Sequence, residues 1–342
     1  MSIVSITTSR HEIALKEPFV TALRRVETVL FVRVCITDNQ GIIGTGEAPP
    51  TVAITGEDIK SIESDIHTII TPLFLGKALS PALFKSLHVS GAKSSARAAV
   101  DIALHNLLAA RHGMSLVHYL GGTHHPLRSA VTVSLGSVAS MCAQASRLFN
   151  QGCNLLKIKL GSNDGNDLER IRSIRRILPD AILLVDANQG WSESQTLSMI
   201  DAMHSLNIAL IEQPVHAHDL KAMERITCKS AIPILADESA FDLDGVMRVY
   251  ESGAAHMINI KLMKCGGISK AVEILRYCQE HNITCMMGSM LEGPTSIEAA
   301  AQLAMCYGDI IRYVDLDSPL LYNDITKAPR LHYQGSMLSL FY

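Results

Sequence analysis

Three carboxylates recur at the ends of short apolar runs: Asp186 closes AILLVD, Glu212 lies in IALIEQP and Asp237 closes IPILAD. They stand 26 and 25 residues apart, a spacing that puts one acid on each of three consecutive strands. Carboxylates converging on one point repel unless a cation lies among them. Oxygen-only donors suit a hard divalent ion, and positions left open for substrate and water suit Mg²⁺ better than a fully caged Ca²⁺. A single acid at a strand end is ordinarily a helix N-cap. Three in register, within VDANQGW, IEQPV and LADES, are not explained that way.

Lysines accompany them. Lys157 and Lys159 interrupt the apolar run LLKIKL, and Lys261 ends another in INIKLMKCGGI. Residues two apart on a strand share a face, and lysine is rarely buried unpaired. A lysine beside a divalent cation and other lysines, partly desolvated, loses its proton more easily and serves as a base. Lys159 is therefore read as a base, with Lys157 lowering its pKa and binding a substrate carboxylate or enolate oxygen. Two bases on opposite faces of one carbon, with a cation on the adjacent carboxylate, can remove and return a proton α to that carboxylate.

The elements that must position these groups repeat. Apolar runs at 130–135, 155–160, 181–186, 208–214, 232–237, 257–263, 283–288 and 310–315 begin about 25 residues apart. Helical spacing fills the intervals at 167–178, 192–206 and 268–281. Such alternation predicts βαβ units, and eight of them predict a barrel with its site at the C-terminal strand ends. Strands two and six then face each other across the mouth, opposing Lys159 to Lys261. A doubly wound open sheet is the competitor, but no GxGxxG follows the first strands. Residues 1–125 read as an α+β cap: three strands, the last two joined by DNQG, then helices at 57–74 and 93–112. The barrel is placed at 126–317. Residues 318–342 have no ninth strand to form and are expected to return to the cap.

The bulk properties fit a catalytic globule. The 342 residues are 48% hydrophobic and 18% charged, and the formal net charge is −3 without a basic block, so no nucleic-acid partner is expected. No signal peptide or membrane span is read. Eight scattered cysteines without a CxxC pair suggest reduced thiols in a cytoplasmic protein. A homo-oligomer is expected.

Taken together, the cap, KIK, DAN, EQP, ADES and NIKLMKCGG resemble the enolase superfamily, in its muconate-lactonizing subgroup, over nearly the whole chain. The resemblance implies an α/β fold, an α+β cap on a (β/α)₇β TIM-like barrel, Mg²⁺ on Asp186, Glu212 and Asp237, and Lys159 with Lys261 as the acid/base pair. The eighth run ends VDLDSP, similar to the DxD motif with which dipeptide epimerases of the family hold an α-ammonium. Asp315 and Asp317 suit a cation and repel a purely anionic substrate, although Asp317 also stands where a capping turn would begin before Pro319. By the same resemblance Arg24, in PFVTALRRVETV, binds an acidic substrate side chain, and Thr132 and Ser289 contact substrate. The implied activity is that of an isomerase: epimerisation of a dipeptide, with L-Ala-L/D-Glu of cell-wall peptide metabolism as the suggested substrate. o-Succinylbenzoate synthase and muconate cycloisomerase are the alternatives. The chain departs from the family in ALHNLL, where His105 and Asn106 replace Trp and Asp in an expected structural role. It also places Glu292 and Pro294 in the specificity loop, and Arg25 beside Arg24. His124 and His125 are read as a surface linker.

Overall fold

The computed structural model describes residues 2–341. The chain opens with an antiparallel sheet, ordered β1 (Ile3–Val20), β2 (Arg25–Asp38) and β3 (Ile43–Ala48). Val32, Val34 and Ile36 are fully buried at alternating positions of β2, so one sheet face is apolar. Helix α1 (Val52–Thr55) follows the sheet, and helix α2 (Ser94–Arg111) packs against its strands β2 and β3. Helix α2 lies so close to β3 that a Cβ on Gly46 would meet the Ala99 carbonyl oxygen at 1.9 Å. The DNQG turn is held by Asp38, whose Oδ1 accepts from the N–H groups of Gln40 (2.9 Å) and Ile42 (3.0 Å). The helix expected at 57–74 forms in three pieces, Ile59–Ser64, a π-helical Asp65–Ile70 and Thr71–Phe74, with Pro72 in the last. Proline has no N–H to offer an α-helical bond, so an irregular turn before it is the physical consequence.

After a short strand β4 (Leu127–Arg128) comes a parallel sheet: β5 (Val131–Val133), β6 (Leu155–Lys159), β7 (Ile182–Asp186), β8 (Ile208–Glu212), β9 (Ile234–Ala236), β10 (Met257–Ile260), β11 (Thr284–Gly288) and β12 (Ile311–Asp315), in sequence order. Ser129 bridges Val314, and Ala130 N–H donates to the Val314 carbonyl at 2.7 Å, which closes the barrel. A helix follows every strand of this sheet but the last, which is succeeded only by Ser318–Leu321. This is a (β/α)₇β barrel. Leu155, Leu184, Leu210, Leu235, Met257 and Met286 fill its lower interior as a plug. A larger core runs without interruption from cap residues such as Ile36 and Phe74 to barrel residues such as Ile158 and Leu303.

Segment 318–342 differs from expectation. Its first part does return to the cap: Leu15 bridges Tyr322, and Asn323 N–H donates to the Ala14 carbonyl at 2.9 Å. The remainder forms two further strands, β13 (Leu331–Gln334) and β14 (Met337–Leu340), and β14 pairs with β4. Antiparallel pairing needs only a tight turn, so this hairpin adds a separate sheet without joining the barrel. His105 and Asn106 are structural: His105 bonds to Asp101, and Asn106 Nδ2 donates to the Thr45 carbonyl at 2.8 Å. His124 and His125 are exposed. Among the described residues no helix is long and apolar enough to cross a membrane.

Candidate active site

Parallel register sets the lysines and acids at one level. Lys159 on β6 pairs with Asp186 on β7, which pairs with Glu212 on β8. Asp237 follows the end of β9, and Lys261 follows β10. All five side chains are buried. Lys159 Nζ donates to Asp186 Oδ2 at 2.6 Å, and Lys261 Nζ to Asp237 Oδ2 at 2.6 Å. Lys157 Nζ sits among Glu212 (2.7 Å), Asp315 (2.8 Å) and Asp186 (3.1 Å). Its ammonium thus holds a position between two of the expected metal ligands. Among the described residues no three His, Cys, Asp or Glu side chains stand together as a ready-made metal cluster.

Two of the lysines are raised by their neighbours, not lowered. Burial alone would lower Lys157, but Asp315, Glu212 and Asp186 raise it well above the usual range. Lys261 is likewise raised: burial lowers it, but Asp237, Glu212 and Glu238 together outweigh burial. A lysine in the sequence shows the type of group but not how many carboxylates will surround it. The acids divide too. Burial raises Asp186, yet Lys159 and Lys157 bring it down to about 2. Burial and the nearby Asp186 push Glu212 up to about 7.

Several supporting residues escaped the sequence reading. Lys264 is buried and donates to Asp237 Oδ1, the Asp237 carbonyl and the Asn259 carbonyl, each at 2.7 Å. Asn259 Nδ2 donates to Glu212 Oε1 at 2.8 Å. That approach requires Gly288, since a Cβ there would lie 2.4 Å from Asn259 Oδ1. Gln213 Oε1 accepts from the N–H groups of Asp237 and Ser239, each at 3.0 Å, fixing the backbone of the next acid. Asn188, Gln189 and Gln213 all have positive φ (44°, 65° and 36°). Each such residue costs about 1–3 kcal/mol and persists only where the surroundings enforce it. Here it lets the chain turn sharply after Asp186 and Glu212. The motifs DANQ and EQP carried that signal.

Toward the cap, a cavity of about 60 Å³ is lined by Lys157, Lys159, Lys261, Thr132, Ser289, Asp315 and Asp317, with Phe19, Arg24 and Ile54 above. Asp315 keeps Oδ1 buried without a partner. Asp317 does not cap the helix after it; its Oδ2 accepts from Thr132 N–H at 2.7 Å, and burial with Asp315 raises it to about 6. Ser289 Oγ donates to the Asp315 carbonyl at 3.1 Å. The structure separates the two arginines. Arg25 is exposed and paired with Glu27 at 2.9 Å, whereas Arg24 lines the cavity, its pKa lowered by burial. Glu292 turns away from the cavity, accepting from Met290 N–H (2.8 Å) and Ser296 Oγ (2.5 Å), and Pro294 starts the next helix.

Residues 3–121 match the mandelate racemase/muconate lactonizing enzyme N-terminal domain, and residues 140–340 the enolase C-terminal domain-like family. The chain belongs to the enolase superfamily. Among its relatives in that superfamily, an L-amino acid-D/L-Glu epimerase of Sulfurimonas denitrificans is 46% identical over 98% of both chains. The L-Ala-D/L-Glu epimerase of Bacillus subtilis is 41% identical, covering 99% of this chain and 94% of the relative. A substrate-liganded structure of the B. subtilis epimerase superposes with a TM-score of 0.95 at 39% identity, over 100% of this chain and 97% of that one. A dipeptide epimerase from Enterococcus faecalis, solved with Mg and L-Leu-L-Tyr, gives 0.92 at 31% identity, covering 100% and 98%. This superfamily member is an isomerase of the racemase and epimerase kind.

The residues fit a divalent cation by charge and donor chemistry. Arg24, Lys157, Lys159, Lys261 and Lys264 face Asp186, Glu212, Asp237, Glu238, Asp315 and Asp317, so the fully ionised centre carries one excess negative charge. The donors are hard oxygens, as Mg²⁺ requires.

Proposed function

We propose that the chain is a Mg²⁺-dependent dipeptide epimerase that inverts the α-carbon of the C-terminal residue, with an acidic residue such as glutamate preferred there. The observation that carries this reading is the pair of lysines on strands four apart in an eight-strand barrel, opening on one cavity whose third wall bears Asp315 and Asp317. Asp186, Glu212 and Asp237 would hold the cation, which would supply positive charge against the substrate carboxylate. The substrate ammonium lies on Asp315 and Asp317, drawn to the unpartnered Asp315 Oδ1. Arg24 receives the acidic side chain. Lys159 and Lys261 then flank the α-carbon: one amine takes the proton from one face, and the opposite ammonium delivers a proton to the other. Lys159 is paired with Asp186 and Lys261 with Asp237, two of the acids that would hold the cation.

The assay incubates L-Ala-L-Glu and a dipeptide library with enzyme and Mg²⁺ in D₂O and reads α-deuteration by mass spectrometry. Deuterium at the C-terminal residue, lost with EDTA and restored by Mg²⁺, is the expected result. Full exchange by metal-free enzyme would refute the cation assignment. o-Succinylbenzoate synthase and muconate cycloisomerase substrates carry no ammonium, so they leave Asp315 and Asp317 without a cation to bind.

A further inference from the structure

Glu238 follows Asp237 in sequence but takes no part in the proton transfer or in holding the dipeptide. Its side chain is buried, with the residue 8% exposed, and neither carboxylate oxygen has a hydrogen-bond partner. No lysine or arginine pairs with it among the described residues. It lines the same cavity as Asp237 and Lys261. An acid left there unpartnered is costly. Strand β9 ends at Ala236, so Asp237 and Glu238 both lie on the loop beyond it. Glu238 lines the catalytic cavity and also the outer crevice that contains His216 and Arg248, and so approaches from the rim.

We infer that Glu238 is a fourth carboxylate of the cation site, acting through water: its oxygens accept hydrogen bonds from water molecules that the cation keeps. This rests on the assignment of Asp186, Glu212 and Asp237 to that cation. Mg²⁺ ordinarily retains several waters, each of them a strong donor. Two buried acceptor oxygens with nothing to accept are the complement of such donors. Approach from the rim leaves the inner positions to the three ligands and the substrate carboxylate. Residues that orient a metal's surroundings in this way typically change its affinity by about 10–100-fold when replaced.

The test measures the cation, not turnover. Metal-free wild type, E238Q, E238A and D186N are titrated with Mg²⁺ and Mn²⁺ by calorimetry, and the hydration of bound Mn²⁺ is followed by water-proton relaxation. E238A is expected to weaken Mn²⁺ binding by about 10–100-fold and to change the relaxation enhancement. E238Q keeps one acceptor oxygen and should fall between E238A and wild type. Without cation, both variants should melt at or above the wild-type temperature, because an unpaired buried acid has been removed. Wild-type affinity and relaxation in E238A, with binding lost in D186N, would overturn this inference alone. Equal binding by wild type and D186N would overturn the three-carboxylate assignment along with it.

Discussion

At the scale of single residues, the centre is a set of ammonium–carboxylate pairs that must be rearranged for chemistry. Lys159 and Lys261 each have one main acid, Asp186 and Asp237, at 2.6 Å. If they serve opposite faces of the α-carbon, each replacement should abolish epimerisation yet spare half the exchange chemistry. K159A should exchange the α-proton of one epimer in D₂O, and K261A that of the other. Loss of exchange with the same epimer in both variants would leave only a one-base reaction. Arg24 makes a second prediction. A half-buried guanidinium facing an acidic side chain forms a charge-assisted bond worth about 1.5–3 kcal/mol, so R24M should raise KM for L-Ala-L-Glu by about 10- to 100-fold. The KM for L-Ala-L-Leu should change little; equal effects on both would remove Arg24 from specificity. The three acids, the opposed lysines and Asp315 were legible because each lies at or near the end of an apolar run at a repeating interval. Glu238, Asn259 and Lys264 were not, since their roles depend on what folds against them, and no spacing rule marks an asparagine bonded to an acid on the neighbouring strand.

At the scale of elements, helix α2 shows how a departure from the family pattern is absorbed. Asp101 on this helix is wholly buried and accepts from Ser269 N–H (3.0 Å) and Ser269 Oγ (2.6 Å) at the start of the helix following β10. His88 Nε2 lies at 3.2 Å and His105 Nδ1 at 3.2 Å from its carboxylate. Burial alone would raise Asp101, but the two histidines and Ser269 hold it below the ordinary carboxylate range. Burial alone would lower His105, and Asp101 reverses that, so its pKa is raised. The stability that protonated His105 contributes is complete below its unfolded pKa of about 6.5 and fades as pH rises through the higher folded value. The Asp101 contribution has the opposite sense: it is present above about pH 4 and declines on acidification. H105Q should therefore lower stability by about 1–3 kcal/mol at pH 6 and by less at pH 9, measured by urea denaturation. A penalty that grew with pH would show that His105 is neutral in the native state. The strands and longer helices were readable because period and length suffice to specify them. The β13–β14 hairpin was missed because LHYQGSMLSL carries little alternation, and its partner β4 is only two residues long.

For the whole molecule, the question is whether cap and barrel are separable. The cap supplies Arg24, Phe19 and Ile54 to a cavity whose chemistry is on the barrel, so the site exists only when both are docked. Docking is not left to apolar contact alone, although the principal core is continuous across both parts. Glu47 at the end of β3 is fully buried and joins them: it pairs with Arg33 at 2.7 Å on the cap side and accepts from Thr295 N–H at 2.8 Å on the barrel side. Gly293 makes room for it, since a Cβ there would lie 2.4 Å from Glu47 Oε2. Removing one member of a buried pair leaves the other partner uncompensated and costs about 3–5 kcal/mol, less here because Arg33 keeps some contact with water. E47A should shift the urea midpoint downward by an amount in or just below that range, and it should do so in one transition. A shared core makes loosening the cap equivalent to loosening the barrel, so fluorescence of Trp191 in the barrel and circular dichroism of the whole chain should report the same midpoint. Two separated transitions in E47A would mean that the cap unfolds by itself. In that case the cavity could be lost while the barrel, with its lysines and carboxylates, stays folded.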